Sequence, residues 1–324
     1  MKYMCFITAM VLLFSLTGCN EAVSTKPVAG NVHNLRQQAL EIVRTGLKDE
    51  NGLIRSHAVE VVSASNTKEL MPTVAILLSD QSIAVRFATA VAVGDTAYSP
   101  AAGAVKRLLD EPNENTKMAA AYALTKLGRT EYGNFIRSLL KSKDQTVRAN
   151  AALLLGKMGD KSDIALLYQT LQDPYSFDKV KIQTIESIAR LGDKNIYRGK
   201  LWALLISKQA DDRVMGIRAM GALGTTEAKN AIATMLDDDV LEVRLCAAEE
   251  LGRLGDTTGD SEILSYFAEN LPNLDKTSMA NTIATMAIGR IGGPSLTRFL
   301  PRLLQSKSKE VRLSAAQSVL LLTN

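Results

Sequence analysis

The chain has 324 residues, 46% hydrophobic and only 5% aromatic, with a formal net charge of +4 at pH 7. That length is ample for a large core, and so mild a charge argues against nucleic acid as a partner, which needs clustered Lys and Arg. With two histidines and three cysteines no zinc-ligand spacing is present, and Cys246 is the one thiol outside the N-terminal segment.

Lys2 is followed by an apolar run through Met4, Phe6, Ile7, Met10, Val11, Leu12, Leu13 and Phe14, ending in Leu16-Thr17-Gly18-Cys19. A basic start and an apolar stretch too short to span a bilayer predict a secretory signal over residues 1–18. Leu-x-Gly-Cys resembles the bacterial lipobox. The resemblance implies cleavage before Cys19 and acylation of that cysteine, which also removes Cys5. Asn20 in place of Asp implies attachment to the outer membrane, facing the periplasm, in a Gram-negative host. Two or three acyl chains on one residue give a stable anchor, whereas one binds only marginally. Residues 19–34 are short of large apolar side chains and read as a flexible, lipidated tether. Residues 35–324 then form one repeat domain, in which no stretch approaches a membrane span.

Val147, Arg148, Ala151, Ala152, Leu155 and Gly156 form a Val-Arg-x-x-Ala-Ala-x-x-Leu-Gly phrase. Copies begin at Ile54-Arg55, Val85-Arg86, Val180-Lys181, Val243-Arg244 and Val311-Arg312, with weaker ones at Lys117, Val214-Met215 and Met279. A fixed period of some 30 residues signals stacked units. In residues 130–159, Tyr132, Phe135, Ile136, Leu139 and Leu140 recur at helical spacing, with Arg137, Lys141 and Lys143 opposite. Asp144 stands at an N-cap position before a second helix of Val147, Ala151, Ala152, Leu154 and Leu155. Gly156 and Gly159 read as its glycine-rich stop. The alanine pairs let neighbouring helices approach closely, and stacking completes a core that one pair cannot bury alone. The expected fold is all-α: an α-solenoid, a right-handed superhelix of stacked antiparallel helix pairs with about nine repeats.

The phrases at 144–156 and 243–252 resemble HEAT-like repeats of the kind found in phycobilisome lyase subunits and many bacterial scaffolds. The resemblance covers about residues 35–324 and implies that the Val-Arg helices line the concave face, with Asp and Arg forming a ladder between repeats. Asp80 with Arg86, Asp144 with Arg148 and Asp239 with Arg244 are the expected rungs. Positions two, five and nine residues past the Arg give a mixed polar lining: His57, Glu60, Asn150, Gln183, Glu186, Arg190, Glu249, Arg253, Asn281, Arg290 and Gln317. These are the candidate partner-binding residues, because a curved solenoid offers an extended concave surface.

No catalytic residue, metal or cofactor is expected. A HEAT-like di-iron hydroxylase needs several His-Glu pairs, but His33 precedes Asn34 and His57 precedes Ala58. Cys246 lies between Leu245 and Ala247 and reads as buried packing. The turn Asp173-Pro174-Tyr175-Ser176-Phe177-Asp178 is irregular; its aromatics either fill a gap between repeats or stand free to anchor a partner. Val319-Leu320-Leu321-Leu322 end the chain without a polar cap, which predicts cover by a partner or by self-association. The expected function is a lipid-anchored envelope scaffold that binds a protein through its concave face without catalysis. The alternatives are a lyase-like protein acting on a chromophore protein, or a periplasmic assembly or chaperone-type factor.

Overall fold

A computed structural model describes residues 30–324, so the expected signal segment, Cys19 and most of the expected tether lie outside the described residues. The described helices run in nine pairs: α1 (Gly30–Gly46) with α2 (Gly52–Ala64), α3 (Met71–Ile76) with α4 (Ile83–Asp95), α5 (Ala102–Arg107) with α6 (Glu114–Lys126), and α7 (Gly133–Ser138) with α8 (Gln145–Met158). There follow α9 (Ile164–Gln172) with α10 (Asp178–Arg190), α11 (Trp202–Leu205) with α12 (Ala210–Leu223), and α13 (Thr226–Thr234) with α14 (Leu241–Arg253). The last two are α15 (Asp260–Asn270) with α16 (Met279–Ile291), and α17 (Pro294–Thr297) and α18 (Leu300–Leu303) with α19 (Lys309–Thr323). Helix α1 takes in residues 30–34, the end of the expected tether, His33 among them. No strand occurs among the described residues.

The second helix of each pair forms an inner layer and, after the first pair, is the longer of the two. Its start is set by a polar cap: Asn51, Asn113, Asp144, Ser278 and Ser308 each accept from a backbone N–H in the first turn. The alanine pairs Ala119-Ala120, Ala151-Ala152, Ala247-Ala248 and Ala315-Ala316 are fully buried between adjacent inner helices. Gly156 is not the helix stop that its phrase suggests. It lies inside α8, and a Cβ there would sit 2.8 Å from the Cβ of Ser187, so it permits close approach of α10. Gly159, at φ 83°, is the left-handed end.

The array does not stay open. Each inner helix packs on the next, from α2 through α16 to α19, and α19 then packs against α1 and α2. Lys309 Nζ meets Asp49 Oδ2 at 2.6 Å across this seam. Arg36 donates to Thr323 Oγ1 at 3.0 Å and Asn324 Oδ1 at 2.8 Å, and the Asn324 amide donates to the Ser65 carbonyl. The expected all-α solenoid of stacked helix pairs is thus present among the described residues, and its two ends meet to close it into a ring, with the inner helices parallel and their N-termini on one rim. Closure also removes the reason for self-association through the C-terminal repeat. Val319, Leu320 and Leu322 are buried on α19, a helix that packs between α16 and the chain's own first repeat.

Candidate functional site

Six inner helices carry arginine four residues past the N-cap: Arg55, Arg86, Arg148, Arg213, Arg244 and Arg312. In five of them Nη1 donates back to the carbonyl six residues earlier, as Arg55 does to Asp49 at 2.7 Å. The rest of the planar fork reaches an acid in the next repeat, a bidentate geometry in the best cases. Arg55 holds both oxygens of Asp80 at 2.7 Å, Arg86 holds Glu111 at 2.8 Å, and Arg148 holds Asp173 at 2.6 Å. Arg213 holds Asp238 at 2.7 Å and Asp239 at 2.9 Å, and Arg244 holds Glu262 at 2.7 Å.

A ladder exists, with partners other than the expected ones. Asp80 takes Arg55 and gives Arg86 only its carbonyl, Asp239 takes Arg213, and Asp144 caps the N–H groups of Thr146 and Val147. The physical reason is reach: an acid just before a helix turns onto that helix's own free N–H groups or faces the preceding repeat. The sixth rung is Arg213, not Val214-Met215, and in the eighth repeat Thr282 holds the equivalent place, not Met279.

Positions five and nine residues past these arginines turn into the ring. Lys157 Nζ and Asp95 Oδ2 pair at 2.9 Å with both side chains almost fully buried (4% and 2% exposed). Tyr122 donates to the other Asp95 oxygen at 2.6 Å, and Ser63 donates to the first at 3.2 Å. Arg190 pairs with Glu186 at 2.6 Å, and Gln183 donates to the same carboxylate at 3.3 Å. Arg253 pairs with Glu250 at 2.7 Å, beside Glu249, Arg218 and Arg290. Asn150 donates to Asn115 at 2.9 Å, joining two repeats. Asn281 accepts from Tyr266 at 2.6 Å and donates to the carbonyls of Asn273 and Lys276, fixing its own turn.

The candidate lining residues thus do converge, but on one another. Gln183, Glu186, Asn281 and Gln317 are buried, and His57, Glu60, Asn150, Arg190, Glu249, Arg253 and Arg290 are half-buried in the closed interior. The open groove expected for them is absent because the two ends of the array meet. Sequence reasoning passed over Asp95 and Lys157, each nine residues past a rung, and Tyr122, five past Lys117. The same spacing identifies all three. Arg218 escaped because its repeat was read two residues out of register.

Burial dominates the electrostatics of this interior. It lifts the Glu60 carboxyl to about 8 against the pull of Lys157, and lowers the His57 imidazole to about 4. It lowers the Lys157 ammonium, and with Glu250 beside it raises Glu249. The buried Cys246 thiol is pushed up to about 12 and is inert as a nucleophile. Among the described residues no three His, Cys, Asp or Glu side chains cluster as metal ligands, and no helix is long and apolar enough to cross a membrane.

Apolar exposure is concentrated elsewhere. Leu53, Ile83 and Met279 lie at the first turns of inner helices, Phe177 is the N-cap of α10, and Tyr175, Ile206 and Leu271 lie in the segments leading to such starts. All belong to the rim of inner-helix N-termini. Tyr175 and Phe177 are 77% and 67% exposed, so they fill no gap between repeats.

Residues 101–189 match the family model for HEAT repeats. No curated protein matches the chain. Among solved structures, human deoxyhypusine hydroxylase is 19% identical over 81% of this chain and 99% of its own, with a TM-score of 0.39. The CpcE–CpcF complex of phycocyanin lyase from Nostoc is 18% identical over 74% of this chain and 94% of that one, with a TM-score of 0.43. Kap121p is 14% identical over 86% of this chain and 37% of its own length, at a TM-score of 0.33. Residues 101–189 thus carry HEAT repeats, and the same HEAT-like helix pairing continues through the remaining described residues.

Proposed function

We propose that this protein is a non-catalytic scaffold of the bacterial cell envelope, anchored through acyl chains on Cys19, that binds a protein partner. The observation that carries the reading is the pairing of the interior. Six of the ionisable side chains that a groove would offer to chemistry are engaged with one another, as Asp95–Lys157, Glu186–Arg190 and Glu250–Arg253 pairs. What remains for recognition is the outer surface of the ring and its rims. Leu16-Thr17-Gly18-Cys19 supports the anchor, and Asn20 supports outer-membrane attachment facing the periplasm in a Gram-negative host.

The test is in vivo crosslinking of the full chain beside its Cys19→Ala variant, with a lipid label. The expected result is a labelled, membrane-bound wild type joined to one stoichiometric partner, and an unlabelled variant displaced from the membrane. An unlabelled wild type that fractionates like the variant defeats the anchor; repeated recovery without a partner defeats the scaffold.

A further inference from the structure

One carboxylate ties together four consecutive inner helices. Asp95, the last residue of α4, accepts from Ser63 of α2 at 3.2 Å, from Tyr122 of α6 at 2.6 Å and from Lys157 of α8 at 2.9 Å. The other two interior pairs each lie within one helix, Glu186 with Arg190 on α10 and Glu250 with Arg253 on α14. Of the three, the Asp95 pair alone spans repeats, and it skips one.

Such a bond sets a geometric condition. In a straight stack, helices two places apart have axes about 20 Å apart, out of reach of a lysine and an aspartate. Lys157 meets Asp95 because α6 is set back between α4 and α8, with Tyr122 reaching from it to the same carboxylate. Close approach of α4 and α6 permits this. A Cβ on Gly94 would lie 2.7 Å from Tyr122 Cε1 and 3.0 Å from the Cα of Ala123. The ladder does not fix the turn here. Among the described residues it has no rung between the third and fourth repeats, where Lys117 stands in place of arginine and Asn150 meets Asn115.

Stability alone does not account for the pair. Asp95 and Lys157 are almost fully buried, and the cost of taking two charges out of water offsets most of their attraction. Apolar side chains of similar size would hold these helices about as well. What the ion pair and its two further donors add is a fixed distance and direction, here the angle at which α8 follows α4.

The far side of the ring depends on that angle. Nine helices about 10 Å apart set opposed inner axes about 30 Å apart, so about 20° less turn over the first four repeats parts the two ends by about 10 Å. Against this the seam sets apolar contact but no rung. Asp49 stands six residues before Arg55, as Asp80 does before Arg86, yet it takes Lys309. Among the described residues Arg312 donates only to the Ser306 and Lys307 carbonyls.

We propose that Asp95 is the hub that sets the curvature of the first four repeats and so holds the ring closed: without it the repeats stay folded and the seam opens.

The test uses the full chain carrying Asp95→Leu with Lys157→Met, which removes both charges and keeps most of the volume. Carbodiimide joins Lys309 Nζ to the Asp49 carboxylate without a spacer, as an amide formed with loss of water, so the yield of the joined peptide reads closure. Lys229 with Asp256, 3.1 Å apart and away from the seam, is the internal standard. The melting temperature is expected to stay within a few degrees of the parent, while the Lys309–Asp49 yield falls roughly tenfold or more against the standard. Amide exchange in α1 and α19 should become faster than in α10, and the scattering radius should grow. Glu250→Leu with Arg253→Met removes an equally buried pair from within one helix and should leave the yield unchanged. If the Asp95 double variant does not fold, Asp95→Asn is read in the same way; if neither folds, Asp95 serves stability and the proposal fails. A folded variant with parental yield and radius overturns it, as does protection lost evenly over all the described repeats. An opened ring in the Glu250–Arg253 control overturns it too, because loss of any interior pair would then suffice.

Discussion

Glu60 and His57 share one turn of α2, and burial displaces their titrations in opposite senses. The Glu60 carboxyl titrates at about 8 in the folded ring against an ordinary 4.5, because protein surrounds it more closely than Lys157 can compensate. The folded state therefore holds a proton that the unfolded chain has lost. Its stabilising effect is complete below about pH 4.5 and disappears as pH rises to 8. His57, lowered from 6.5 to about 4 by burial, acts in the other direction: stability is lost as pH falls from 6.5 to 4. A stability maximum between these limbs follows. Glu60→Gln keeps the shape and the neutral form, so it should leave stability unchanged near pH 4.5. Near pH 8 it should stabilise by about 1–3 kcal/mol, a figure discounted for the solvent that reaches this half-buried side chain. Thermal melts at the two pH values check this; an unchanged alkaline slope in the variant would place the effect on another group.

Element by element, the packing of inner helices was legible in advance and the pairing of their charges was only half so. The alanine pairs and the Val-Arg phrase describe surfaces within one helix, which is what periodicity reports. The ladder partners belong to different repeats, and no local pattern distinguishes Asp80 bound to Arg55 from Asp80 bound to Arg86. Lys157 and Asp95 were readable at the nine-residue offset, but their contact skips the intervening repeat and depends on how tightly the ring curves. Gly156 shows the same limit: its place in the phrase suggests a stop, whereas its neighbour across the interface explains it. Its absent Cβ would meet the Cα of Ser187 at 2.9 Å, so backbone as well as side chain must move to admit one. Gly156→Ala should gain up to about 1 kcal/mol of helix propensity and lose about 1–3 kcal/mol to overpacking. Net destabilisation is expected, together with faster amide exchange in α8 and α10. A stabilised variant would show that the two helices are not in close contact.

For the whole molecule, closure is the property that the repeat pattern could not disclose, because any one repeat is compatible with an open or a closed array. The apolar seam decides it. Lys309–Asp49 has one partner half-exposed, and such pairs contribute about 1 kcal/mol or less. Leu313, which faces Gly46 across the seam, is 1% exposed, and burying such a side chain contributes about 1.5–3 kcal/mol. At Gly46 a Cβ would lie 3.1 Å from Leu313 and 3.0 Å from Ala58, so α1 is seated directly on α19 and α2. In an open array the terminal repeats fray first, having one neighbour instead of two. In the ring every inner helix has two. Amide exchange in α1 and α19 should therefore be as slow as in α10, with a radius of gyration of roughly 20 Å. Leu313→Asp buries a charge in the seam. It should open the array there, raising exchange selectively in α1, α2 and α19 and enlarging the particle by several ångströms in small-angle scattering. Uniform loss of protection would mean that the ring melts as one unit and the seam is no weak point. Rapid exchange of α1 and α19 in the unsubstituted protein would mean that the ring is open in solution, with the interior carboxylates and arginines again available to a partner.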